Sequence, residues 1–198
     1  MSKQEWKPGN MLYPLPAVLV SVRGKNGKDN LFTAAWAGTI CSDPVMLSVS
    51  VRPSRYSYDM IKDTGEFVVN LTTRSLARAT DYCGVRSGRD EDKWLTSGLH
   101  KDEASKINVP MVQESPVNLE CKVEEMRELG SHTMFIARVV AVHADEAYMD
   151  ENGKFDFNLA EPLVYSHGEY FVLGKKIGKF GFSVMKKKAA KQSINNCK

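Results

Sequence analysis

At 198 residues, with 42% hydrophobic and 26% charged residues, the chain has the composition of one globular domain, long enough to bury a core without disulfides or a structural metal. That balance excludes a disordered polymer, and the apolar run Met11–Val22 is broken by Pro14 and Pro16 and is too short to anchor in a bilayer. The formal charge of +3 hides an asymmetry, because the last 24 residues hold eight lysines and no acid, leaving 19 bases against 24 acids over 1–174.

In chain order, the first ten residues lack the basic and apolar regions of a secretory signal, so a cytoplasmic location is expected. Ala17–Val22 reads as a strand, and Asn26-Gly27 in the loop after it favours the positive φ angles of a hairpin turn. Leu31–Ala37 is the expected return strand. Val45–Val51 alternates apolar and small polar residues, as a strand with one face in a core does. Arg55–Thr64 suits a short amphipathic helix ended by Gly65, and Glu66–Leu71 is a further strand. Thr72–Tyr82 reads as helical, and Cys83–Thr96 as a polar loop carrying Lys93 and Trp94. Strands follow at 117–123, 133–143, 162–165 and 170–173. The sum is a mainly β (α+β) domain, a barrel or sandwich with a few helices, spanning 1–185. Residues 186–198 are expected to form a disordered lysine-rich tail.

The familiar chemical motifs fail. No Gly-x-Gly-x-x-Gly links a strand to a helix, Gly174–Phe180 lacks the Ser/Thr of a phosphate loop, and neither a Gly-x-Ser-x-Gly elbow nor a His-Glu-x-x-His helix occurs. Cys41, Cys83, Cys121 and Cys197 stand far apart with no Cys-x-x-Cys pair, which reads as reduced thiols and no metal site. A basic tail attracts polyanions by charge, but the acidic body argues against a nucleic-acid partner, and no membrane partner is expected.

What remains is an ordered series: Pro14-Leu-Pro16, Asn30-Leu-Phe-Thr33-Ala-Ala-Trp36, Asp43-Pro44, Arg52-Pro-Ser-Arg55-Tyr-Ser57, Gly65-Glu66-Phe67, Cys83-Gly84, Pro116-Val-Asn-Leu-Glu120-Cys121 and Gly130-Ser-His132. In this order it resembles the flavin reductase-like family, its flavoredoxin branch above all, from about residue 10 to about residue 174. The resemblance implies an FMN-binding split β-barrel with the flavin at a homodimer interface, reduced by NAD(P)H and handing electrons to an acceptor or a redox protein partner.

It also implies which residues meet the cofactor. Arg55 and Ser57 sit where a turn enters a helix, so a guanidinium, a hydroxyl and free N–H groups converge on the phosphate. Lys93 reaches in from a loop. As an ordinary surface turn, the same segment would be a Ser54 cap beside a solvated Arg55. Thr33, Ala34, Ala35 and Trp36 would line the flavin ring, since two alanines fill little core volume on a strand; Trp36 could equally be a buried anchor. Asn30, Ser48, Ser50, Val51, Arg52, Tyr58, Cys83 and Gly84 complete the implied cofactor contacts. His132, in the Gly-x-His element, is the implied catalytic residue, placing the nicotinamide or exchanging a proton. A flavin carrier not reduced by NAD(P)H remains the alternative.

Overall fold

The computed structural model describes residues 1–185; the lysine-rich tail at 186–198 lies outside the described residues. The chain forms β1 (Leu15–Pro16), β2 (Val18–Arg23), β3 (Asp29–Ala34), β4 (Ala37–Ser42), β5 (Val45–Val51), α1 (Tyr56–Thr64), β6 (Glu66–Leu71), α2 (Ala77–Val85), α3 (Lys93–Ser97), β7 (Lys101–Asp102), β8 (Met111–Val112), β9 (Val117–Glu128), β10 (Thr133–Ala144), β11 (Leu163–Ser166) and β12 (Glu169–Val172). Among the described residues no helix is long and apolar enough to cross a membrane.

Seven strands form one antiparallel sheet in the order β3-β2-β6-β9-β10-β5-β4. Its two outer strands, β3 and β4, are consecutive in the chain but do not pair, so the sheet coils almost into a barrel and stays split along one seam. The reason is local. The expected single strand over 31–37 is interrupted at Ala35-Trp36, and the chain resumes as β4 on the opposite edge, with Ser50 N–H donating to the Trp36 carbonyl at 2.8 Å. A small sheet, β1-β11-β12, stands apart from the large one.

The core follows from strand alternation. Val18, Val20 and Val22 of β2 point inward with Phe32, Val49, Val51, Phe67 and Phe135. Leu19 points the other way, into a second cluster with Leu31, Leu76, Trp94 and Val112 beneath α2 and α3. β2 is therefore buried on both faces, which is why residues 18–22 are apolar on both, interrupted only by Ser21, whose hydroxyl donates to the Pro110 carbonyl at 2.6 Å. Gly65 ends α1 as expected, with φ 69° and its N–H on the Ile61 carbonyl at 2.8 Å.

Besides the broken strand at 31–37, three more segments depart from expectation. Thr72–Tyr82 is not one helix but a 3-10 turn at Arg74–Leu76 leading into α2. The expected loop over 83–96 carries the end of α2 and the start of α3, whose first turn is capped by Asp92 accepting from the Trp94 and Leu95 N–H groups. β9 extends to Glu128, five residues beyond expectation, because it pairs with β10 far past the edge of the core.

Candidate functional site

A cleft of about 530 Å³ opens between the end of β3 with the turn that follows it and the end of β5. Its floor is Thr33, Ala34, Ala35 and Trp36, its near wall is Ser50, Val51 and Arg52, and Ser131 and His132 close one side from the β9–β10 turn. A second lobe of about 420 Å³ adjoins it. Phe32, Thr33, Arg52, Arg55 and Gly84 line both, so the two form one elongated site.

The second lobe is a cation nest. Arg52, Arg55, Arg86, Arg89 and Lys93 line it, with no carboxylate among the lining residues. Lys93 is 3% exposed. Its Nζ donates to the Cys83 carbonyl at 2.9 Å and the Arg86 carbonyl at 3.2 Å, and no carboxylate pairs with it among the described residues. Burial, only partly offset by Cys83 and aggravated by the nearby Arg55 guanidinium, pulls its pKa down to about 8. Its hydrogen bonds are to carbonyls, and Glu91 acts on it only at longer range, so much of the buried positive charge is left uncompensated.

The serine in the lobe is oriented. Asn30, 3% exposed, donates from Nδ2 to Ser57 Oγ at 2.7 Å. With that lone pair engaged, the serine proton is free to be donated to a ligand. Arg55 is the residue at the N-terminal boundary of α1, and no side chain caps this helix end, so its first-turn N–H groups add to the anion field. The Ser54 cap does not form.

Gly88, absent from the sequence reading, holds this arrangement closed. A Cβ there would lie 2.6 Å from Asn30 Cγ and 2.9 Å from the Tyr56 ring. Gly88→Ala is therefore expected to displace Asn30, release Ser57 and weaken the affinity of this lobe for an anionic ligand about tenfold, an effect read by ligand titration of the two proteins.

In the main cleft, the Trp36 and His132 rings are parallel within 2°, with centroids 6.4 Å apart. Ser131 Oγ and His132 Nδ1 share a hydrogen bond of 2.9 Å. Burial, then Arg52 and Arg55, lower the His132 pKa, so the imidazole is neutral at pH 7. α2 is locked against the floor by the Thr33 hydroxyl donating to the Thr80 carbonyl, and the absence of a side chain at Gly84 permits this approach: a Cβ there would sit 3.3 Å from Thr33 Cβ.

Most of the sequence-derived residues meet here, but not all. Ser48 lines a neighbouring apolar groove beside Met11, Leu12 and Ile40 rather than the cleft. Tyr58 lines neither lobe: it is buried in the core, with its hydroxyl on Thr133 Oγ1 at 3.1 Å and its ring against Phe135. Cys83 offers the lobe its carbonyl, while its thiol is buried and its pKa raised by that burial, which marks a packing residue. Asp81, Tyr165 and Tyr170 also line the cleft. No sequence signal pointed to them, because they arrive from α2 and the small sheet.

A family profile described as the flavin reductase like domain matches residues 11–174. The chain belongs to the flavin reductase-like family. Among curated proteins it is 36% identical over 160 residues to an uncharacterized protein of Archaeoglobus fulgidus, covering 81% of this chain and 88% of that one. Among solved structures it is similar to the flavoredoxin of Desulfovibrio vulgaris (Miyazaki F), with TM-score 0.86 and 31% identity over 93% of this chain and all of that one. The flavoredoxin from Methanosarcina acetivorans matches equally widely, with TM-score 0.84 and 30% identity. The family's split-barrel architecture accords with the coiled, unclosed sheet described above.

Proposed function

We propose that this protein is an FMN-binding oxidoreductase, reduced by NAD(P)H and passing electrons to a downstream acceptor. The observation that carries the reading is the continuity of the two lobes: a buried ammonium without a carboxylate partner opens directly into a narrow slot floored by Ala34 and Ala35. A phosphate ester joined to a flat ring has this combination of needs. The likeness to two flavoredoxins supports it.

The residues divide the work. Lys93, Arg55 and Ser57 would hold the phosphate, with Asn30 positioning the serine. Thr33, Ala34, Ala35 and Trp36 would carry the ring, and Val51 and Arg52 would bound it. A bound flavin supplies hydride acceptance from a nicotinamide and electron delivery onward. His132, neutral and held by Ser131, would bear on the ring of the donor and keep it in contact, which lowers the entropic part of the barrier. Cys83 and Gly84 shape the wall. Exposed Met11, Leu12 and Ile40, beside the apolar groove, support a homodimer that covers them. The free thiols Cys41, Cys83 and Cys121 suit a reducing cytoplasm.

The test is the visible spectrum of the purified protein after FMN addition and desalting, then after anaerobic NADH or NADPH. Retained flavin that bleaches with a pyridine nucleotide is the expected result. Retained flavin bleached only by dithionite identifies an electron carrier served by another protein, and no flavin binding by titration rejects the reading. Arg55→Ala is expected to weaken FMN binding at least about tenfold by removing a charge-assisted contact; unchanged affinity removes Arg55 from the site.

A further inference from the structure

One stretch of the cleft wall has a chemistry that neither the phosphate lobe nor the ring floor uses. It lies between α2 and the small sheet. The β11–β12 hairpin turns through His167 and Gly168, both at positive φ (48° and 87°), which sets Tyr165 directly opposite Tyr170. Their rings pack edge to face at 5.7 Å, and Tyr13 braces Tyr165 from the N-terminal segment at 6.1 Å. Thr73 and Pro162 bridge the hairpin to the body. This wall is therefore built and not a loose flap. Asp81 of α2 also lines the cleft, close enough to Tyr170 to accept a hydrogen bond from its phenol.

We propose that Asp81, positioned by Tyr170, is a specificity element that reads an N–H on a ring seated in the cleft. The phenol donates its one proton to Asp81 and orients the carboxylate, whose remaining lone pairs accept from the ligand N–H. Burial first, then the adjacent Asp81 charge and the hydrogen bond to it, push the Tyr170 phenol up to about 12, so it keeps that proton across the working pH range. An ionised Asp81 can only accept. A carboxylate so held is complementary to an amide or imide N–H and not to an edge presenting only acceptors, which it would repel.

Two molecules of the proposed reaction carry such an edge. One is the pyrimidine side of the isoalloxazine, with N3–H between two carbonyls. The other is the carboxamide of nicotinamide. The inference rests on the reading that a flavin occupies this cleft, and the experiment separates the two sources from each other and from failure of that reading.

Asp81→Ala and Tyr170→Phe are compared with the parent chain in FMN and 3-methyl-FMN titrations, and in flavin reduction by NADH and its reduced 3-acetylpyridine analogue, which keeps the carbonyl but lacks the amide N–H. If the pair reads the flavin, Asp81→Ala loses about tenfold in FMN affinity and nothing for the N3-methylated flavin. If it reads the nicotinamide, FMN affinity holds, the KM for NADH rises about tenfold, and Asp81→Ala no longer prefers NADH over the acetylpyridine analogue. In either case Asp81→Asn, which retains an acceptor oxygen, recovers part of the loss, as a merely structural defect would not. Parent-like FMN affinity and parent-like donor preference in both variants would falsify the pair's role while leaving the flavin site intact. A parent chain that binds no FMN overturns the proposed function, and this inference with it.

Discussion

Lys93→Met is expected to weaken FMN binding about 100-fold while leaving the flavin-free chain at least as stable as the parent. The two effects have opposite causes in one atom. Without ligand, Lys93 Nζ is buried against two carbonyls with no carboxylate, and its fall from 10.5 to about 8 corresponds to a penalty on the order of 3 kcal/mol on the charged form. Methionine fills similar space without that penalty. A bound phosphate dianion removes the penalty, and methionine cannot answer it. Urea unfolding of the flavin-free proteins and fluorescence titration with FMN measure the two halves.

The pH dependence has a fixed sign. Because the folded pKa lies below the unfolded one, the destabilisation is fully present below pH 8 and is relieved as pH rises from about 8 toward 10.5. Stability of the flavin-free parent therefore climbs through that window from this group, while FMN affinity falls above pH 8 as the ammonium is lost. Lys93→Met should erase both slopes. A variant that binds FMN like the parent would show that the phosphate sits elsewhere.

Glu120→Ala should cost about 3–5 kcal/mol of stability, the largest single-residue loss expected outside the core. Glu120 of β9 is completely buried. One carboxylate oxygen accepts from the Ser105 N–H at 2.7 Å and hydroxyl at 2.8 Å; the other accepts from the Lys106 N–H at 2.7 Å and the Ile107 N–H at 3.1 Å. His143 Nε2 lies 2.6 Å away. The carboxylate thus clamps the 105–107 loop onto the sheet, and its removal leaves several buried donors without an acceptor. Burial alone would raise its pKa, but the Ser105 N–H, His143 and the other donors hold it near 2. The folded value being the lower, its contribution is present above pH 4.5 and lost as pH falls from there toward 2. Urea midpoints of parent and Glu120→Ala at pH 7 and at pH 3 test this: the gap between them should narrow at the lower pH.

Glu120 also shows what sequence patterns convey and what they conceal. The segment Pro116–Cys121 helped to suggest the family, yet Glu120 secures a loop rather than touching the cleft. The alternation in Val45–Val51 and the mostly apolar run of β2, broken only by Ser21 before Arg23, were legible because each is a local consequence of burial on one face or two. β4 was not: it is an exposed edge strand, Ala37–Ser42, with no alternation to read. α3 is five residues long, below the span over which a helical period can show, and only its Asp92 cap marks it. The cation-lined lobe was partly legible because Arg55 and Ser57 lie within three residues and enter a helix. Gly88, Asp81 and Tyr170 were not, since their partners Asn30 and the cleft floor stand some fifty residues or more away in sequence, and only the fold's topology joins them.

Arg52 and Arg55 belong to both lobes, and their charges add to burial in lowering the His132 pKa. On the proposed reading, a dianion in the second lobe would cancel part of their field, and the imidazole would regain some affinity for its proton. By reciprocity, a protonated His132 would tighten the grip on the anion. Occupancy at one end and protonation at the other would then be coupled through two shared guanidinium groups, by charge instead of motion.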